Sequence, residues 1–272
     1  MANFGQNNTN YLCVFPKVFN KDASACISAL SQLDEFVKDE GKVVLLGSRM
    51  DQLLTACYMQ YRHVLNNKMR TDNCNAKEVT RLFQYLTMVL MSTYHHAELT
   101  RHASTSALHD LLHVIISILL EPKMEQLPDG AQLLRALNVL TVKIVDRSDH
   151  TNITSAIVKL LSDAVANASL NPKFAETVMK CIWKIIRLLP NWMEDEAGPL
   201  DVDLVLSDLH DFLKTYPPSY WKKQVFNKDA TFCDFPAHEK YSLFSVSLLS
   251  ILFLFSELGK LFCIFSEHGK KY

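Results

Sequence analysis

Apolar residues recur at three- and four-residue steps along most of the chain, and the phase of that recurrence divides it into helices. Cys26, Leu30, Leu33 and Val37 form the first stripe, after a capping residue at Asp22. Met50, Leu53, Leu54, Cys57, Tyr61, Val64 and Leu65 form a second from about Ser48, with Gly41 and Gly47 bracketing a linker before it. Asn75-Ala76-Lys77-Glu78 is a capping-box arrangement, which opens a third helix on Val79, Leu82, Phe83, Leu86 and Leu90. A fourth is expected from about Thr100 to Leu120, on Leu108, Leu111, Leu112, Ile115 and Leu119, and is stopped by Pro122 and Pro128. Asp129 is the expected cap of a fifth, on Leu133, Leu137, Leu140 and Ile144, and a sixth begins near Thr151. Asn171-Pro172 places a capping side chain before a proline at the first helical position, opening a seventh helix that Pro190 is expected to end. After the acidic linker MEDEAGP (193–199), an eighth carries Val205, Leu209, Phe212 and Tyr216 until Pro217-Pro218. Residues 1–21 show no such stripe ahead of Asp22 and read as a flexible tail.

The first members of successive helix pairs begin near 22, 75, 129 and 172. These steps lie close to the roughly 40–47 residues of HEAT and armadillo units. The predicted class is therefore all-α: HEAT-like helical-hairpin repeats, about four hairpins stacked as an α-solenoid. In such a stack inner helices need two apolar faces, because each repeat buries itself on both neighbours. The segment KCIWKIIRLLP (180–190) meets that demand. Phe174, Val178, Cys181, Ile185 and Leu188 centre one stripe, and Met179, Ile182, Ile186 and Leu189 widen it to about half the circumference at about 100° per residue. Lys173, Lys180, Lys184 and Arg187 fill the remainder, too many cations for a membrane-spanning helix. Trp183 stands at their border. Lys180, Trp183, Lys184 and Arg187 form the candidate partner-binding site: three cations for an acidic surface and an aromatic anchor beside them. The competing reading is a solvated face with Trp183 packed on the next repeat.

Composition adds exclusions. The 272 residues are 49% hydrophobic and 21% charged with a formal net charge of -1, so no strong field points to nucleic acid. Only seven residues are glycine, in keeping with long helices and few tight turns. Seven cysteines (13, 26, 57, 74, 181, 233 and 263) contain no C-x-x-C pair, against a disulfide framework or zinc site. Cys26, Cys57 and Cys181 fall on apolar faces and read as core. The N-terminus lacks the basic and apolar regions of a secretory signal, so the sequons at Asn152 and Asn167 read as idle. His109-Asp110-Leu111-Leu112-His113 has the spacing of a zinc-protease helix, but carries Asp in place of Glu and no motif supplies a third ligand. His95-His96 reads as a solvated turn. No phosphate-binding glycine loop or nucleophile elbow is present. The expectation is a non-enzymatic protein with no catalytic residues, metal or cofactor.

Four segments carry a family resemblance: ALSQLDEFVKDE (29–40), RHASTSALHDLLH (101–113), SDHTNITSAIVKLL (148–161) and NPKFAETVMKCIWKIIRLLP (171–190). Over about Asp22 to Gln224 the chain resembles the C-terminal helical domain of the ch-TOG/Minispindles family of microtubule polymerases. The resemblance implies a TOG-like HEAT-repeat domain near the end of a longer protein that promotes microtubule growth at plus ends and serves spindle assembly. It implies TACC-type coiled-coil adaptors as partners, tubulin and microtubules contacted mainly through other domains, and a cytoplasmic, cytoskeletal location at centrosomes, spindle poles and plus ends. Earlier TOG domains of the family bind tubulin through intra-repeat turns, with a tryptophan in the first and basic residues later. Here the first turn, EGKVVLLG (40–47), has no tryptophan and the fourth, NWMEDEAGP, is acidic, which argues against direct tubulin binding.

The resemblance stops at Gln224. Residues 225–272 form a divergent hydrophobic tail, uncharged from Tyr241 to Ser256, in which VFNKDA repeats residues 18–23 and FSELGK recurs as FSEHGK. It reads as sequence outside the natural domain, of translated-intron or misassigned-exon origin. The rival reading is a generic HEAT-repeat adaptor that this tail anchors to a membrane, although the run falls short of the about 20 apolar residues a span needs.

Overall fold

The computed structural model describes residues 14–20, 22–69, 75–167, 172–195 and 198–217. Its helices are α1 (Phe15–Val18), α2 (Ala23–Lys38), α3 (Glu40–Val43), α4 (Met50–His63), α5 (Ala76–Thr93), α6 (Ala97–Thr100), α7 (Thr105–Leu119), α8 (Gly130–Arg147), α9 (His150–Ala166), α10 (Pro172–Met193) and α11 (Val202–Thr215). Short 3-10 helices occupy Val44–Arg49 and Pro122–Gln126, and a π turn at Val64–Lys68 prolongs α4. No strand occurs among the described residues, so the all-α class expected from the period holds. The chain forms two compact units divided at Ala156/Ile157, inside α9.

In the first unit α2, α5 and α8 lie side by side in one layer, while α4 packs on α7 in the other. The hairpins α2–α4 and α5–α7 are thus stacked as HEAT-like repeats, and α8 opens the next. Leu30, Leu33, Leu53, Leu54, Cys57, Leu82, Phe83, Leu86, Leu111 and Ile115 are fully or almost fully buried between them. Polar bonds fix the register. Ser92 Oγ on α5 donates to Asp34 Oδ1 on α2 at 2.7 Å, and Lys38 pairs with the same carboxylate. The Tyr61 and Thr87 hydroxyls meet at 2.9 Å between α4 and α5, and Thr100 Oγ1 donates to the Arg147 carbonyl at 2.6 Å. Asn152 donates to the Ala103 carbonyl and accepts from Thr105 Oγ1, so the first sequon asparagine is engaged in the fold.

Caps define most helix starts. Asp22 accepts from Ser24 N and Ala25 N, Asn75 from Glu78 N, Ser104 from Ala107 N and Asp201 from Leu204 N. Several boundaries differ from the periodic reading. The stretch expected as tail carries α1, whose Phe15 and Val18 are buried because α1 packs on α2 and α4; Cys26 Sγ donates to the Val18 carbonyl at 3.0 Å. The linker expected at Gly41–Gly47 is helical turn, held by the fully buried Leu46 and by Asp39, which accepts from Gly41 N. The fourth helix begins at Thr105 behind the Ser104 cap, with α6 a separate turn before it.

Asp129 precedes α8 as expected but does not cap it with its side chain. Its φ of 57° is left-handed, a region aspartate tolerates better than most residues, and its carbonyl instead accepts from Gln132 N and Leu133 N. Pro190 does not end α10, which runs three residues further to Met193. The proline removes one bond, the one its missing N–H would make to the Ile186 carbonyl, and burial of Trp192 beyond it favours continued winding.

The second unit contains the rest of α9, α10 and α11. The α10 face from Phe174 through Val178, Ile182, Ile185 and Leu189 to Trp192 is buried, as are Val205, Leu209 and Phe212 on α11. Tyr216 at the end of α11 donates to the Ser162 carbonyl on α9 at 3.4 Å. The cap expected at Asn171, residues 218–224 and the hydrophobic tail at 225–272 lie outside the described residues.

Candidate partner-docking strip

The wide buried face of α10 leaves a narrow arc for its polar residues, and that arc gathers Lys173, Glu176, Lys180, Lys184 and Arg187. Lys173, Lys180 and Arg187 recur at seven-residue steps, so they nearly line up along the helix, and all three are exposed. Lys184 is half-buried on the side of the arc next to Leu188. Lys180 Nζ lies 3.0 Å from Glu176 Oε1, an exposed i,i+4 pair that contributes a few tenths of a kcal/mol at most. With exposed Lys173 and Arg187 beside that pair, the strip is positive.

Trp183 follows Glu176 by seven residues and stands between that carboxylate and the buried Met179. It is half-buried, whereas Trp192 on the same helix retains only 5% exposure. The structure thus brings the four residues singled out from the sequence, Lys180, Trp183, Lys184 and Arg187, to one side of one helix. Chemically the strip offers charge for an acidic surface and the edge of one large ring for apolar contact. On the flank of α10 next to Lys184, Cys181 is buried and its thiol is pushed up to about 11 by desolvation, which keeps it protonated and unreactive at neutral pH.

Other candidate chemistry is dispersed. His109 Nδ1 lies 3.0 Å from Asp110 Oδ1, and the His109 and His113 rings are 6.2 Å apart on α7. Among the described residues no three His, Cys, Asp or Glu side chains gather into a group that could hold a metal ion. His95 sits in the turn after α5, where its Nδ1 lies 2.9 Å from Lys143 Nζ. No helix among the described residues is long and apolar enough to cross a membrane.

Over 143 residues, 53% of this chain and 7% of the relative, the sequence is 27% identical to Protein mini spindles of Drosophila melanogaster. It is 28% identical over 196 residues to Protein MOR1 of Arabidopsis thaliana, covering 68% of this chain and 9% of that protein. Protein MOR1 of Oryza sativa subsp. japonica matches at 27% over 146 residues, 50% of this chain and 7% of that one. The chain is a homologue of Mini spindles and MOR1. The resemblance to the ch-TOG/Minispindles family seen in its sequence is borne out at that level. No family profile matches the chain, and no solved structure matches it. The chain spans less than a tenth of the length of these curated relatives.

In this Mini spindles homologue the turn that joins the first hairpin, Glu40–Arg49, presents an aliphatic residue: Val44 is 79% exposed. The tryptophan of the segment after Pro190 is the buried Trp192, and the residues that follow, Glu194 and Asp195, are acidic. Among the described residues the α10 strip is therefore the place where a partly exposed tryptophan and cations occur together. Helical period could find the strip and the border position of Trp183; a stop at Pro190 left Trp192 unplaced, and because α10 runs on to Met193, nine residues at about 100° each carry Trp192 to the buried side.

Proposed function

We propose that this chain is a non-enzymatic interaction module of a microtubule polymerase, working at centrosomes, spindle poles and microtubule plus ends in the cytoplasm. Its part is to dock an acidic coiled-coil adaptor of the TACC type, while tubulin is engaged mainly through other parts of the full-length protein. The similarity to Mini spindles and MOR1 supports the microtubule setting. The observation that carries the docking role is the α10 strip. Exposed Lys173, Lys180 and Arg187 at heptad spacing suit a helix with acidic residues at the same period, and Trp183 at their border suits an interface anchor. The exposed Val44 and the acidic residues after Met193 speak for an adaptor in preference to tubulin.

A pull-down with a TACC coiled coil, comparing the whole chain with residues 1–224, tests the reading. Trp183→Ala is expected to lower affinity about tenfold or more, and Lys180→Glu with Arg187→Glu to lower it further and flatten its salt dependence. Binding unchanged in both variants, with their far-UV spectra intact, would remove the strip from the interface. Flotation of the whole chain with vesicles, lost on truncation at Gln224, would instead favour a membrane-anchored adaptor.

A further inference from the structure

The first unit carries a surface that the α10 strip does not involve: an open groove between α5 and α8. Met88 and Met91 of α5 and Leu133 and Ala136 of α8 make its apolar lining. Met88 is 37% exposed, and Val139, one turn beyond Ala136, is 52% exposed. Thioether side chains adapt to different apolar partners at little conformational cost, which suits a docking floor more than a core.

Charge marks the two ends. Asp129 lines the groove at the start of α8, is exposed, and its left-handed backbone leaves its carboxylate without a capping bond. At the other end Lys143 Nζ approaches the Met91 carbonyl at 3.4 Å and His95 Nδ1 at 2.9 Å, neither of them a carboxylate, so its charge is not neutralised. Asp129 at the start of α8 lines the groove with the α5 residues from Gln84 to Met91, and Lys143 near the end of α8 reaches Met91 and His95 at the end of α5, so α5 and α8 run in the same direction along the groove. From Asp129 to Lys143 is about 21 Å at 1.5 Å per residue, the length of about four helical turns.

We infer that this groove docks an amphipathic helix of a partner protein, with a basic side chain over Asp129, apolar residues at i, i+3/i+4 and i+7 over the methionines, and an acidic side chain over Lys143. A helix supplies the apolar period the floor asks for, and opposite charges at its two ends match a groove that is negative at one end and positive at the other. A flat lipid surface carries no such pairing of opposite charges and has no reason to prefer a slot.

The test uses the whole chain and three fluorescein-labelled 18-residue helical peptides with one leucine face. The first has Lys and Glu fourteen residues apart, the second Lys at both positions, the third Glu at both. By fluorescence anisotropy the Lys/Glu peptide is expected to bind about fivefold more tightly than either like-charge peptide, as one rim charge pair allows. Met88→Glu is expected to weaken it at least tenfold. Asp129→Asn, which keeps the left-handed backbone tolerable, is expected to erase the preference over the Glu/Glu peptide and Lys143→Gln the preference over the Lys/Lys peptide, with circular dichroism spectra unchanged. Equal binding of the three peptides, no binding, or indifference to Met88→Glu would overturn the inference. So would self-association of the chain that Met88→Glu abolishes, since the occupant would then be a second copy.

Discussion

Gly130→Ala is a substitution for which simple rules and this fold give opposite signs. Gly130 is the first residue of α8, and its backbone is not left-handed. At a compatible backbone, glycine to alanine stabilises by about 0.4–1 kcal/mol through the unfolded chain. Here a Cβ would penetrate the Met124 carbonyl oxygen and stand 3.1 Å from its carbon. That oxygen belongs to the backbone of the Pro122–Gln126 turn and cannot rotate aside. It accepts from Leu127 N at 3.2 Å, the Met124 side chain is fully buried, and Lys123 Nζ ties the same turn to the Met69 carbonyl at 3.1 Å. Relief requires moving the turn, with an overpacking cost of about 1–3 kcal/mol and the loss of about one hydrogen bond, about 1 kcal/mol. After the entropic gain is subtracted, the expected net destabilisation is about 2 kcal/mol. Urea titration followed by circular dichroism should show a lower midpoint with little change in slope. Gly47→Ala is the control: its Cβ would meet only the His102 ring, at 3.2 Å, which can swing away, so the change should stay within about 0.5 kcal/mol. A Gly130→Ala protein as stable as the parent would refute the reasoning.

Asp34→Ala removes the acceptor of Ser92 and the partner of Lys38 in the α2–α5 contact, and should cost about 2 kcal/mol in the same titration; Ser92→Ala should cost about half that. Pro190→Ala restores a backbone donor near the end of α10 at an exposed position, and should raise stability by about 1 kcal/mol, read as a higher melting temperature. Burial pushes the Cys57 thiol up to about 12 and the Cys181 thiol up to about 11, so both are neutral thiols throughout about pH 6–9. Peptide mapping after iodoacetamide should therefore find Cys57 and Cys181 unmodified across that range in the native protein and modified once denaturant is added; native labelling that climbs with pH from about 7 would show that these thiols are not desolvated.

The helical period alone located the core of every long helix, because a stripe at three- and four-residue steps is meaningful only if one side is buried. It also found the caps at Asp22 and Asn75, which act within three residues of sequence, and it placed Cys26, Cys57 and Cys181 in the interior. Where it failed, the deciding partner was distant. Phe15–Val18 is too short to display a period and is held by its packing on α2 and α4. Gly41 and Gly47 look like breaks until Leu46 is seen buried between them. Asp129 has the composition of a cap, yet the turn before it sets a left-handed backbone that withdraws its side chain from that work.

Sequence by itself determined the helices, their apolar faces and the kinship with Mini spindles and MOR1, since all of these are written in local spacing and residue identity. Tertiary structure decided which parts of those faces stay open. A stop at Pro190 leaves Trp192 unplaced; the continuation of α10 to Met193 carries it to the covered side, while Trp183 nine residues earlier stays half-exposed beside Lys180, Lys184 and Arg187. The groove between α5 and α8 likewise exists only because two helices separated by a whole hairpin lie together, setting Met88 against Leu133 and Asp129 at the open end of both. Burial is a property of neighbours, and neighbours are assigned by the fold.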